Sequence, residues 1–74
     1  MQTPGMLKLG NRAVPVVNRG RRADNRERLN VKVREMANNL EFRRKWKRAA
    51  KIELWSDAAI FQLEDGSRWY LNIS

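Results

Sequence analysis

The spacing of apolar residues changes character twice along this chain. Up to residue 23 they come in short groups, broken by Gly10-Asn11, Pro15 and Asn18-Arg19-Gly20. Turn-forming residues this frequent leave little room for a regular element. Ala13-Val14-Pro15-Val16-Val17 has strand-forming side chains, but its proline lacks a ladder N–H. It is therefore expected at a sheet edge, or extended against a partner. Residues 1–23 read as an extended or disordered arm.

From Asp24 the period becomes helical. Leu29, Val33, Met36, Ala37 and Leu40 form one apolar stripe. Asp24 stands three residues before Glu27, the spacing of a capping box. Leu29, Val31 and Val33 also alternate as a short strand would, but the stripe runs on past strand length. Asn38-Asn39 is a poor helix interior, and Asn39 suits the cap of a second helix reaching to about Ala50. There Phe42, Trp46, Ala49 and Ala50 form a second stripe, rotated from the first. A kink at the two asparagines lets both stripes face one core; a single long helix is the alternative.

The last third alternates. Ile52–Trp55, Ile60–Glu64 and Ser67–Ile73 read as strands, with Ser56-Asp57 and Asp65-Gly66 as turns. A two-residue loop at Asp65-Gly66 pairs Phe61 with Tyr70 and Gln62 with Trp69. That register puts Ile52, Leu54, Phe61, Leu63 and Tyr70 on one face, and Trp55, Ile60, Trp69, Leu71 and Ile73 on the other. The expected fold class is α+β. A basic helix, kinked near Asn38-Asn39, packs on a small antiparallel hairpin or meander over residues 24–74, behind the N-terminal arm. One sheet face is left as a candidate apolar partner surface that includes Trp55 and Trp69, with Val14, Val16 and Val17 of the arm.

Charge adds a direction to this layout. The 74 residues carry 16 Lys/Arg and 8 Asp/Glu, a net +8. Residues 1–48 hold fourteen of the cations and four of the acids, net +10; residues 49–74 hold two and four, net −2. A basic front on a slightly acidic rear points to an anionic partner met from one end. The cations concentrate in Arg19-Gly20-Arg21-Arg22 and in Phe42-Arg43-Arg44-Lys45-Trp46-Lys47-Arg48. Like charges packed this closely repel on a helix, so a purely structural helix would mix signs. Their position late in the helix favours its dipole, which explains part of the pattern. Arg19, Arg21, Arg22, Arg43, Arg44, Lys45, Lys47 and Arg48 are the candidate contacts to nucleic acid or an acidic surface. Phe42 and Trp46, four apart, are better read as core than as base-stacking residues.

Chemistry is harder to place. With no cysteine and no histidine, the chain lacks disulfides, the commonest general base and the usual zinc ligands. Glu64-Asp65 reads as turn chemistry, and the serines have no histidine to activate them. An enzyme is not expected, nor a cofactor or metal. No apolar run suggests a signal peptide or membrane span, so no membrane association is expected.

The layout as a whole resembles the small RNA polymerase-binding antiterminators of Xanthomonas phages. The resemblance rests on the extended segment Leu7–Val17, the run Arg19-Gly20-Arg21-Arg22, the cationic helix ending Arg43-Arg44-Lys45-Trp46-Lys47-Arg48, and the aromatic C-terminal hairpin. No short motif carries it, so it assigns no residue a role. A monomer in the host bacterial cytoplasm is expected, and the resemblance implies docking on RNA polymerase subunits near the RNA exit channel. There it would displace the promoter-specificity factor and promote read-through of terminators, close to nascent RNA. The alternatives are a small DNA- or RNA-binding module that uses the helix cluster directly, and a ribosome- or capsid-associated protein with a basic arm.

Overall fold

The computed structural model describes residues 5–74; the first four residues of the expected arm lie outside them. The fold is α+β. In chain order it comprises β1 (Gly5–Leu9), β2 (Arg12–Asn18), α1 (Asn25–Met36), α2 (Leu40–Arg48), β3 (Ala49–Leu54), β4 (Ala58–Leu63) and β5 (Arg68–Asn72). The strands form one sheet in the order β1-β2-β3-β4-β5. All neighbours are antiparallel except β2 and β3, which the two helices connect as a parallel pair.

The described part of the expected arm is thus the first hairpin of the sheet. Gly10-Asn11 is its two-residue turn, with Leu9 opposite Arg12 and Gly10 at φ 64°. Positive φ at the first turn position is the geometry that lets strands leave with matching twist. Pro15 lies inside the sheet, not on its edge. Pairing with β3 starts one residue later, at Val16 opposite Ile52, so Pro15 has a strand neighbour only in β1. The missing N–H breaks no bond on the β3 side. The arginine run that follows is tied down as well. Arg19 N–H and Gly20 N–H both donate to the Leu54 carbonyl, and Arg21 N–H donates to Ser56 Oγ. Gly20 is there for space: a Cβ would collide with the Asn25 side-chain amide and sit 2.8 Å from the Ser56 backbone nitrogen.

The helical region breaks where the asparagines predict. Asn39 caps α2, its side chain accepting from Phe42 N–H at 3.0 Å. Asp24 precedes α1 but makes no side-chain cap; its carboxylate pairs with Arg22 at 3.1 Å instead. The capping box read from Asp24 and Glu27 is therefore not formed. α2 ends at Arg48 and passes into β3 without a loop. A register shift between Ala49 and Lys51 then changes the alternation, so Ala49 and Ile52 both face the core.

The core lies between the helices and one sheet face. Leu29, Val33, Phe42 and Trp46 meet Leu7, Val14, Val16, Ile52, Leu54, Phe61 and Leu63 there. Phe42 packs on Trp46, Phe61 and Trp69 with ring centroids 5.6–6.0 Å apart. Tilted and edge-on pairs of this kind stabilise by about 0.5–1.5 kcal/mol each beyond area burial. At the last hairpin the structure corrects the expected register by one residue. Phe61 faces Trp69 and Ile60 faces Tyr70. Leu63 N–H donates to Ser67 O and Gly66 N–H to Leu63 O, with Gly66 at φ 88° and no non-glycine residue at positive φ among the described residues. This is a three-residue loop with glycine in the left-handed position, not a two-residue turn. A one-residue slip flips every β5 side chain. Leu71 and Ile73 therefore join the core, and Tyr70 is 69% exposed on the opposite face.

Candidate cationic interface

α2 is two-sided for a simple reason. Phe42 and Trp46, one helical turn apart, are 0% and 2% exposed and fix which side faces the sheet. The intervening cations must then fan outward. At about 100° per residue, Arg43 and Lys47 fall on one flank, Arg44 on the crest, and Lys45 and Arg48 on the other flank. Arg43, Arg44, Lys45 and Lys47 make no ion pair among the described residues, whose pairs all lie elsewhere. Arg48 is different: its guanidinium pairs with Asp65 in the last hairpin loop. Asp65 also accepts from the Ser67 hydroxyl at 2.6 Å and Ser67 N–H at 2.9 Å. The two Ser67 bonds first, and Arg48 after them, lower its pKa from the ordinary 3.8 to about 2. Arg48 therefore anchors the hairpin more than it extends the ridge.

The second candidate group sits elsewhere. Arg19 and Gly20 bond to Leu54 at the C-terminal end of β3, whereas α2 runs into the strand's N-terminal end at Ala49. Five residue steps of about 3.3 Å separate those ends by about 17 Å. Arg19 pairs with Glu53 at 3.8 Å and Arg22 with Asp24, leaving Arg21 exposed and without an ion pair among the described residues. Arg19, Arg21 and Arg22 are thus a basic group separate from the α2 cations.

One arginine missing from the expected set takes their place beside α2. Arg12, just after the Gly10-Asn11 turn, donates through Nη2 to the Ala49 carbonyl at 2.7 Å and reaches Glu64 at 3.4 Å. It borders an open cleft of about 690 Å³ with Arg43, Lys47 and Trp46 of α2 and Asn38 of the inter-helix break. The available signal was Gly10-Asn11 itself, a hairpin dipeptide between two apolar groups.

The apolar partner surface is also rearranged. Val14 and Val16 are 1% and 2% exposed in the core, and Trp69 packs against that core from the helix side. None of the three offers the partner surface expected of it. The helix-free face carries a row running Val17, Glu53, Ile60 and Tyr70 across four strands. Trp55, 42% exposed, donates its indole N–H to Glu53 at 3.4 Å beside this row. Val17 and Trp55 remain from the expected set; Ile60 and Tyr70 are additions that follow from the corrected register.

The chain matches no family model, no curated protein and no solved structure. No helix of the described residues is long and apolar enough to cross a membrane.

Proposed function

We propose that this protein is a phage-encoded transcription regulator that binds host bacterial RNA polymerase near the RNA exit channel. It acts in the host cytoplasm by occlusion and electrostatics, not by chemistry. It displaces the specificity factor and promotes terminator read-through by filling the space a transcript hairpin needs.

The observation that carries this reading is the α2 ridge. Arg43, Arg44, Lys45 and Lys47 stand without carboxylate partners among the described residues, on a helix whose other side is the core. Four unneutralised cations held by Phe42 and Trp46 form a rigid docking edge for an anionic surface. Holding them together costs a few tenths of a kcal/mol per close pair, a cost an anionic partner removes. The second support is the helix-free face, where Tyr70 and Trp55 give an amphipathic patch of the kind enriched in protein interfaces. The resemblance in layout supplies the identity of the partner.

A pull-down from bacterial lysate after nuclease treatment tests it, with retention of polymerase subunits expected. Loss of every partner on nuclease treatment would favour the alternative, a small module that contacts DNA or RNA directly. Read-through of a terminator by purified polymerase, with and without the protein, tests the activity itself.

A further inference from the structure

The ridge is not uniform, and its Arg43/Lys47 flank is concave. That flank forms one wall of the cleft; Arg12 and the Gly10-Asn11 turn form the other. Among the described residues, three cations line it and no carboxylate does. Two buried donors belong to residues of its wall, Arg12 Nε–H and Trp46 Nε1–H, and neither has an acceptor among the described residues. Trp46 itself is only 2% exposed. Both donors are shut off from solvent and mark the packed floor of the wall; Arg12 is paired with Glu64, so Arg43 and Lys47 carry the unneutralised charge of the cleft among the described residues. A second cleft, along α1, differs: Asp24, Glu27 and Glu35 line it together with Arg28 and Lys32.

We propose that this cleft seats backbone phosphates of a single-stranded nucleic acid. A thin, flexible polyanion can enter between two cationic walls, bringing oxygens to both sides at once. A flat acidic protein face would instead meet the convex side, the crest at Arg44 and the outer flank at Lys45. Trp46 is buried, so the contact is to phosphate and carries no base preference. The assignment rests on reading α2 as the interface, but not on polymerase being the partner.

The test is anisotropy titration of the purified chain with oligouridylate RNA of about 12 nucleotides, across a salt series. R43Q/K47Q is compared with R44Q/K45Q, which removes the same charge from the crest and outer flank. The expected result is about tenfold weaker binding for R43Q/K47Q, with a log–log salt slope lower by about 1.4 for two lost phosphates. R44Q/K45Q should change the slope by less than half of that. In parallel, two-dimensional NMR follows the Trp46 indole and Arg12 Nε–H signals; RNA should shift both, and inorganic phosphate should shift them weakly in the same direction. Equal losses for the two double variants, or RNA binding that leaves both signals in place, overturns the proposal. So does an oligoglutamate peptide that shifts the signals as strongly as RNA at equal charge, since the cleft would then take acidic polypeptide. Saturation by phosphate with no further effect of RNA reduces the site to a free-anion site and also overturns it. RNA binding in the cleft combined with no polymerase retention would sink the proposed function and leave this inference standing.

Discussion

Phe42 and Trp46 decide what every other residue of α2 can do, because their burial orients the cations around them. Truncating either removes an aromatic from a contact network that includes Phe61 and Trp69. Such truncations cost about 3–5 kcal/mol, comparable to the whole stability of a single core this small. Trp46→Ala is therefore expected to abolish the cooperative thermal transition and collapse amide dispersion in the NMR spectrum. Asp65 offers a gentler test. Its carboxyl is held near 2 against the ordinary 3.8, so its bonds to Ser67 and Arg48 are intact above about 4 and lost as pH falls through about 2. The amides of the last hairpin loop should loosen across that window in wild type. Asp65→Asn should show no such acid step. The core aromatics were legible from their i, i+4 spacing alone. Arg12 and Arg28 were not, since their acceptors lie far off in sequence: Arg12 reaches Ala49, and Arg28 binds the carbonyls of Ser56 and Ile73. No local pattern encodes such partners.

At the scale of elements, the turns carry most of what local sequence specifies. Asn39 caps α2 as its position predicts, and α2 has only nine residues over which to spread the loss of a cap. Asn39→Ala should lower stability by about 1 kcal/mol in a urea titration with an unchanged slope. Gly66 occupies φ 88°, and Gly66→Ala should cost about 1–2 kcal/mol by the same measurement. The strand positions of the last third were readable from alternation, but their register was not. Asp65-Gly66 fits a two-residue turn, and equally a three-residue loop with glycine third. The choice between them falls to packing of Leu71 and Ile73 against the core. The arm was misjudged for a related reason. Pro15 argues against a strand with neighbours on both sides, yet the parallel ladder begins just beyond it. Pairing between β2 and β3 spans two helices in sequence, and short-range patterns do not report such contacts.

At the scale of the molecule, helices cover one side of the sheet and leave the other open, with the α2 ridge at one end and Arg19–Arg22 at the other. Composition showed that the front half is basic; only the fold shows that its charges divide into two groups separated along β3. Reversing the ridge (Arg43, Arg44, Lys45 and Lys47, each to Glu) should leave the far-UV spectrum and melting transition near those of wild type, because none of the four is buried and none is ion-paired among the described residues. The central claim is that these residues dock an anionic polymerase surface. The direct measurement is retention of purified, nuclease-treated bacterial RNA polymerase on immobilised protein, wild type against the ridge-reversed variant. Wild type should retain polymerase, less so as salt rises, and the variant should lose it while remaining folded. Equal retention by both proteins, or none by either, would contradict the claim.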